Sequence, residues 1–170
     1  MKVKIAVTDA CIFIDLYDLE LIALFFNLDI EVHTTSSVLF ELYPEQQQVL
    51  KAYQSSDRLT VHNLQEQDYT EIHTEAYPKS LTITDKSVLH IANKLDACVL
   101  SSDKTVRNFA KNKNIEYHGI LWVFDKLIEK GILSKKEVAA KLKQLVATNF
   151  VFQNNQQLVE EIEKRLKQWK

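Results

Sequence analysis

Glycine is nearly absent from this 170-residue chain, which holds only Gly119 and Gly131, where average usage of about 7% would give roughly twelve. Backbone cradles for phosphate need several glycines at fixed spacing, because the chain must turn tightly and approach the phosphates without a Cβ in the way. Two isolated glycines cannot build one, so any chemistry on phosphate falls to side chains, with a metal ion as helper. Cysteine is also scarce. Cys11 and Cys98 sit in the apolar contexts ACIFI and DACVL, which excludes a disulfide scaffold and reads as reduced, buried thiols in a reducing compartment. Long hydrophobic runs are missing too. The longest, Leu21 to Phe26, is far too short to span a bilayer, and MKVKIAV meets Thr8-Asp9 before a signal-peptide core forms. The expectation is a cytoplasmic protein with no membrane partner.

What is present suits one domain: 46% hydrophobic and 26% charged residues, enough to bury roughly 68–70% of the unfolded surface. The net charge of −2 conceals an asymmetry. Residues 1–103 carry 7 Lys and Arg against 16 Asp and Glu, and residues 104–170 carry 14 against 7, so the parts stand at −9 and +7. An acidic site beside a cationic groove for a polyanion fits this division, as does an ordinary solvated helix surface.

Short β-rich runs alternate with helical patterns. Strands are expected at Val3–Thr8, Ile30–Thr34, Leu59–Asn63, Ala97–Ser101 and Ile115–Tyr117, with helices around 16–27, 36–43, 45–55, 65–77, 83–95, 103–112 and 120–130. Strands joined by crossover helices predict an α/β domain with a parallel sheet of about five strands between two helical layers. After residue 133 the pattern becomes wholly helical. Ser134 to Glu137 is a capping box ahead of the apolar face Val138, Leu142, Leu145 and Val146. A link at Phe150-Val151-Phe152 leads to a last helix over Gln156–Trp169 bearing Leu158, Val159, Ile162, Leu166 and Trp169. Gly131 suits a left-handed helix cap. The chain thus divides into an α/β part, 1–133, and a helical extension, 134–170, expected to pack on the same domain.

In a parallel sheet, ligands gather beyond the carboxyl ends of the strands where the strand order reverses. Asp9 directly follows the first strand and Asp103 the fourth. If those strands are neighbours, the two acids converge although 94 positions separate them; each alone equally suits a cap on the next helix. Glu41, in SSVLFEL, places one carboxylate among bulky apolar residues or simply on the surface. Asp85, in Thr82-Ile83-Thr84-Asp85, completes a capping box and complements the helix dipole.

Together these segments resemble a PIN-domain ribonuclease over nearly the whole chain. VTDACIFIDL, SSVLFEL, LTITDKSVLHIA and ACVLSSD stand where that family carries its four acids, which makes Asp9, Glu41, Asp85 and Asp103 the catalytic candidates. KTVRNFAKNKNIEYHGILWVFDKLIEKGIL continues the likeness, and the last two helices resemble those of longer family members encoded beside small DNA-binding partners.

The resemblance implies a metal-dependent endoribonuclease acting on single-stranded RNA, the toxin of a toxin-antitoxin pair with a small DNA-binding antitoxin, and a possible homodimer. Four carboxylates in one cleft call for a divalent counterion, and all-oxygen ligands suit Mg²⁺ or Mn²⁺. The histidines 33, 62, 73, 90 and 118 show no metal-ligand spacing. Asp9, Asp85 and Asp103 are the metal candidates, with Asp9 and Asp103 the most direct. Ser101 is a supporting hydroxyl or a buried strand residue, Lys86, Lys104 and Arg107 are candidates for RNA phosphates, and Asp15, Asp18 and Glu20 read as an exposed helix start, to which Asp15 is the first candidate exception.

Rival readings fail at the residues they need. A haloacid-dehalogenase phosphatase requires an Asp two positions after the first, where Cys11 stands, and a response-regulator receiver requires one after the third strand, where Leu64-Gln65 stands. A G-x-S-x-G hydrolase lacks its glycines. The remaining alternative is a non-catalytic PIN-like interaction module whose acids serve as helix caps.

Overall fold

The computed structural model describes residues 3–149, 152 and 155–170. Five strands form one parallel sheet: β1 (Lys4–Thr8), β2 (Ile30–Thr35), β3 (Leu59–His62), β4 (Cys98–Leu100) and β5 (Tyr117–His118), in the order β3-β2-β1-β4-β5. The helices are α1 (Ala10–Asp18), α2 (Ile22–Phe25), α3 (Ser36–Phe40), α4 (Pro44–Ser55), α5 (Glu66–Thr74), α6 (Ile83–Leu95), α7 (Lys104–Asn112), α8 (Ile120–Glu129), α9 (Lys135–Thr148) and α10 (Gln156–Gln168). All five expected strands are present, although the last begins at Tyr117 rather than Ile115.

Successive residues of a strand point to opposite faces of the sheet. Ala6, Val7 and Thr8 are all fully buried, so both faces of β1 are covered, as in three-layer α/β/α proteins. Val7 lies opposite His33 of β2 and Val99 of β4, which puts β1 at the centre. The chain runs outward from β1 to β2 and β3, then returns to β4 on the other side. The reversal of strand order therefore falls between β1 and β4.

By compactness the chain parts into two units, Met1–Ile14 with Asp29–Ile120, and Asp15–Leu28 with Leu121–Lys170. In the first unit, α6 packs on β1, β2 and β4, α4 on β3, α7 on β5, and α3 on α6. Val88, Leu89, Val99 and Leu100 form its fully buried centre.

The second unit is helical, and Leu16, Phe25, Phe124, Leu127, Val138 and Leu142 are fully buried. The face expected on α9 is buried at Val138, Leu142 and Leu145. On α10, Ile162 is buried, while Val159 and Leu166 line a cavity of about 300 Å³ with Val146 and Phe152. Phe150 and Val151 of the expected link lie outside the described residues. Gly131 closes α8 at φ 68°, and Ile132 N–H donates to Leu127 O at 3.0 Å, the left-handed cap that its sequence position suggested. No described helix is long and apolar enough to cross a membrane.

One helix departs from expectation. A single helix over 16–27 is replaced by α1, which begins at Ala10, and the short α2. The cause is Asp9, whose carboxylate accepts Ile12 N–H at 3.2 Å and caps α1 directly after the strand. Glu20, at φ 59°, then interrupts the helical course.

Candidate active site

Asp9 emerges from β1 at the strand-order reversal, and its own N–H donates to Leu100 O of β4 at 3.1 Å. It is 5% exposed. The carboxylate accepts from Ile12 N–H and from the Cys11 thiol at 2.9 Å, with a further hydrogen bond from Ser101. Burial nonetheless dominates and pushes the Asp9 carboxyl up to about 6. The three hydrogen bonds oppose this shift, and the charge of Asp85 reinforces it. Asp9 thus feels Asp85 across the helix start that carries it.

Ser101 joins the ends of the two central strands. It is fully buried; it donates toward Asp9, and its Oγ accepts Asp103 N–H at 3.1 Å. The two readings of Ser101 therefore merge, since it is a buried hydroxyl and also a tie between two candidate acids. Asp103 caps α7 by accepting Val106 N–H at 3.0 Å and is exposed. Asp85 and Thr82 form the reciprocal capping box, each backbone N–H donating to the other's side chain at 3.1 Å, and Asp85 is half-buried.

Glu41 follows α3 and is exposed. Its helix is fixed to α6 through the Thr35 and Ser87 hydroxyls, 2.9 Å apart and both buried. No direct contact joins Glu41 to the other three acids among the described interactions.

None of Asp9, Glu41, Asp85 and Asp103 is ion-paired to Lys, Arg or His among the described residues. Two buried hydroxyls immediately precede two of them, Thr8 Oγ1 and Ser102 Oγ, and both lack a hydrogen-bond partner. Carboxylate oxygens are the donors that a hard divalent cation takes, and Asp9 is buried with no countercharge; among the described residues, however, the four acids do not draw three ligand atoms within 4.8 Å of one another, as Asp68, Glu71 and His90 do.

Two of the three cationic candidates lie over aromatic rings. Lys86 Nζ lies 5.9 Å from the centroid of Tyr77, and the Arg107 guanidinium 5.3 Å from that of Tyr117. A Cβ on Gly119 would come within 3.1 Å of Arg107 Nη1, so this glycine leaves room for the guanidinium. Lys104 stands exposed at the start of α7.

Sequence reading missed two features. Cys11, expected as a buried apolar thiol, is half-exposed and donates to Asp9. Cys98 does match that expectation: it is buried, with its thiol pushed up to about 12 mainly by desolvation.

The other feature is a grouping of Asp68, Glu71 and His90, whose ligating atoms all lie within 4.8 Å of one another. Asp68 and Glu71 are one helical turn apart on α5, the only trace in the sequence; His90 arrives from α6. Asp68 already accepts from His90 Nε2 at 2.9 Å, Lys94 Nζ at 3.1 Å and Gln65 N–H at 2.8 Å. A metal would have to displace these donors, so the network reads as a tie between helices. Asp15 is the exception to the exposed helix start. It is buried, in the second unit, and accepts from Asn149 Nδ2 at 3.1 Å.

A family model described as a PIN domain matches residues 5–168. No curated protein matches the chain in sequence. Among solved structures it is similar to a PilT N-terminus domain protein from the archaeon Sulfolobus solfataricus, with 16% identity over 70% of this chain and 89% of that one, at a TM-score of 0.45.

Proposed function

We propose, from the premise that this chain belongs to the PIN-domain family, that it is a metal-dependent endoribonuclease that hydrolyses phosphodiester bonds of single-stranded RNA. The observation that carries the proposal is Asp9, a carboxylate buried at the β1/β4 reversal with no cation beside it among the described residues. Asp9, Asp85 and Asp103 would hold Mg²⁺ or Mn²⁺, with Glu41 completing the shell or positioning water. The cation, when bound, supplies Lewis acidity toward the phosphodiester and neutralises developing charge.

The chain's own residues do the remaining work. The Ser101 hydroxyl and the Ile12 N–H hold the Asp9 carboxylate in one orientation, and Ser101 sets Asp103 from the neighbouring strand. Arg107, Lys86 and Lys104 would bind RNA phosphates.

The biological reading is a cytoplasmic toxin of a toxin-antitoxin pair, with a small DNA-binding antitoxin and a possible homodimer. Growth arrest on expression, relieved by the neighbouring gene, tests it.

A second reading has an observation of its own. Asp9, Asp85 and Asp103 each cap a helix, as a non-catalytic interaction module would require. Cleavage of single-stranded RNA with Mg²⁺ or Mn²⁺ separates the two. The nuclease reading expects cleavage by the wild type that Asp9→Asn and Asp103→Asn abolish; equal residual cleavage by all three proteins leaves the module.

A further inference from the structure

The corner between α3 and α4 exposes two aromatic rings that no fold requirement explains. Phe40 is 81% exposed and Tyr43 is 69% exposed. Val38, Leu39 and Leu42 anchor the corner from within, which leaves Phe40, Glu41 and Tyr43 outward. The rings therefore flank the candidate acid Glu41, and the Thr35–Ser87 hydroxyl contact fixes their segment to the helix that carries Asp85.

The charges nearby decide what such rings can hold. Residues 31–50 contain Glu31, Glu41 and Glu45 and no Lys or Arg, so this segment offers phosphates no cation of its own, and Lys86, beside Ser87, belongs to α6. A strand passing here must be held through its bases, and every base offers a π-face to a flat ring. A protein partner would need a continuous apolar patch within an interface of roughly 1,000 Å² or more. Here exposed Glu41 parts the two rings, and exposed Pro44 and Glu45 follow.

We propose that Phe40 and Tyr43 are a stacking platform for the bases of single-stranded RNA, which seats the strand beside Glu41. This rests on the nuclease reading above.

The test compares wild type, Phe40→Ala/Tyr43→Ala and Phe40→Trp/Tyr43→Trp, using an eight-nucleotide RNA and the same backbone with abasic sites. Substitution to alanine should raise KM about tenfold per ring with kcat nearly unchanged, and tryptophan should restore KM. In anisotropy binding, wild type should prefer the intact strand over the abasic one, and the alanine variant should lose that preference. The loss should be alike at low and high salt, because stacking releases no counterions. An unchanged KM and unchanged base preference overturn the platform while leaving the nuclease reading intact. A wild type that neither binds nor cleaves the RNA overturns that reading itself. If RNA binding is unchanged and the alanine variant instead alters the protein's mass in light scattering, the rings are a protein contact and the proposal fails.

Discussion

Two acids in the first unit are almost equally covered from solvent, Asp9 at 5% exposed and Asp68 at 6%, but Asp9 lies deep and Asp68 close beneath the surface, and the protein treats them in opposite ways. Asp68 is surrounded by donors: the Gln65 N–H, the His90 imidazole and the Lys94 ammonium hold its carboxyl well below the usual carboxylate range. Asp9 receives hydrogen bonds but no cation, and burial drives it up to about 6. A carboxylate that only supports the fold is stabilised by the groups around it. One kept without a counterion at the end of a central strand is a candidate for binding a cation.

Substitution at each acid should separate the two roles. The largest expected effect is on catalysis at the uncompensated acid. Asp9→Asn keeps an oxygen to cap α1 and should lower the rate of RNA cleavage on the order of a thousandfold, with a melting temperature equal to or above that of wild type, because a buried unpaired charge is gone. Asp68→Ala should do the reverse. It strands the Gln65 N–H and the His90 ring and should cost about 2 kcal/mol of stability by urea unfolding, while kcat stays within a few-fold of wild type.

The acid limb of stability sharpens the contrast. A carboxyl with a lowered folded pKa stabilises above its unfolded value, near 3.8, and that contribution is lost as pH falls through the folded value. Wild type should therefore lose stability on acidification below about pH 4 more steeply than Asp68→Ala, as read by melting temperature across pH 2 to 5. The smallest effect is expected at Gly119→Ala. The added Cβ meets the mobile end of Arg107 at 3.1 Å, so the guanidinium shifts, KM rises a few-fold, and stability changes by less than about 1 kcal/mol.

The contrast also marks what could be read from residues in order. The strands, the Thr82–Asp85 box and the Asp103 cap were legible because each is local, written within three or four positions. The meeting of β1 and β4 was legible only as a condition on strand order, which the sheet fulfils. The start of α1 at Ala10 was hidden, because ACIFI is apolar at every position and shows no helical period. The Asp68–His90 tie spans 22 positions, and the room that Gly119 leaves for Arg107 depends on β5 lying beside β4. Such contacts are made by the fold and leave no spacing to read. Glycine scarcity pointed to side chains as the agents of phosphate chemistry; in the structure one of the two glycines makes space for a cationic side chain.

The most direct measurement is the melting temperature of wild type, Asp9→Asn and Asp68→Ala as MnCl₂ is raised at neutral pH. If a divalent cation is what Asp9 lacks, wild type and Asp68→Ala both gain stability with added Mn²⁺ and Asp9→Asn does not. A wild type indifferent to Mn²⁺, or an Asp9→Asn protein stabilised as much as wild type, would contradict the account.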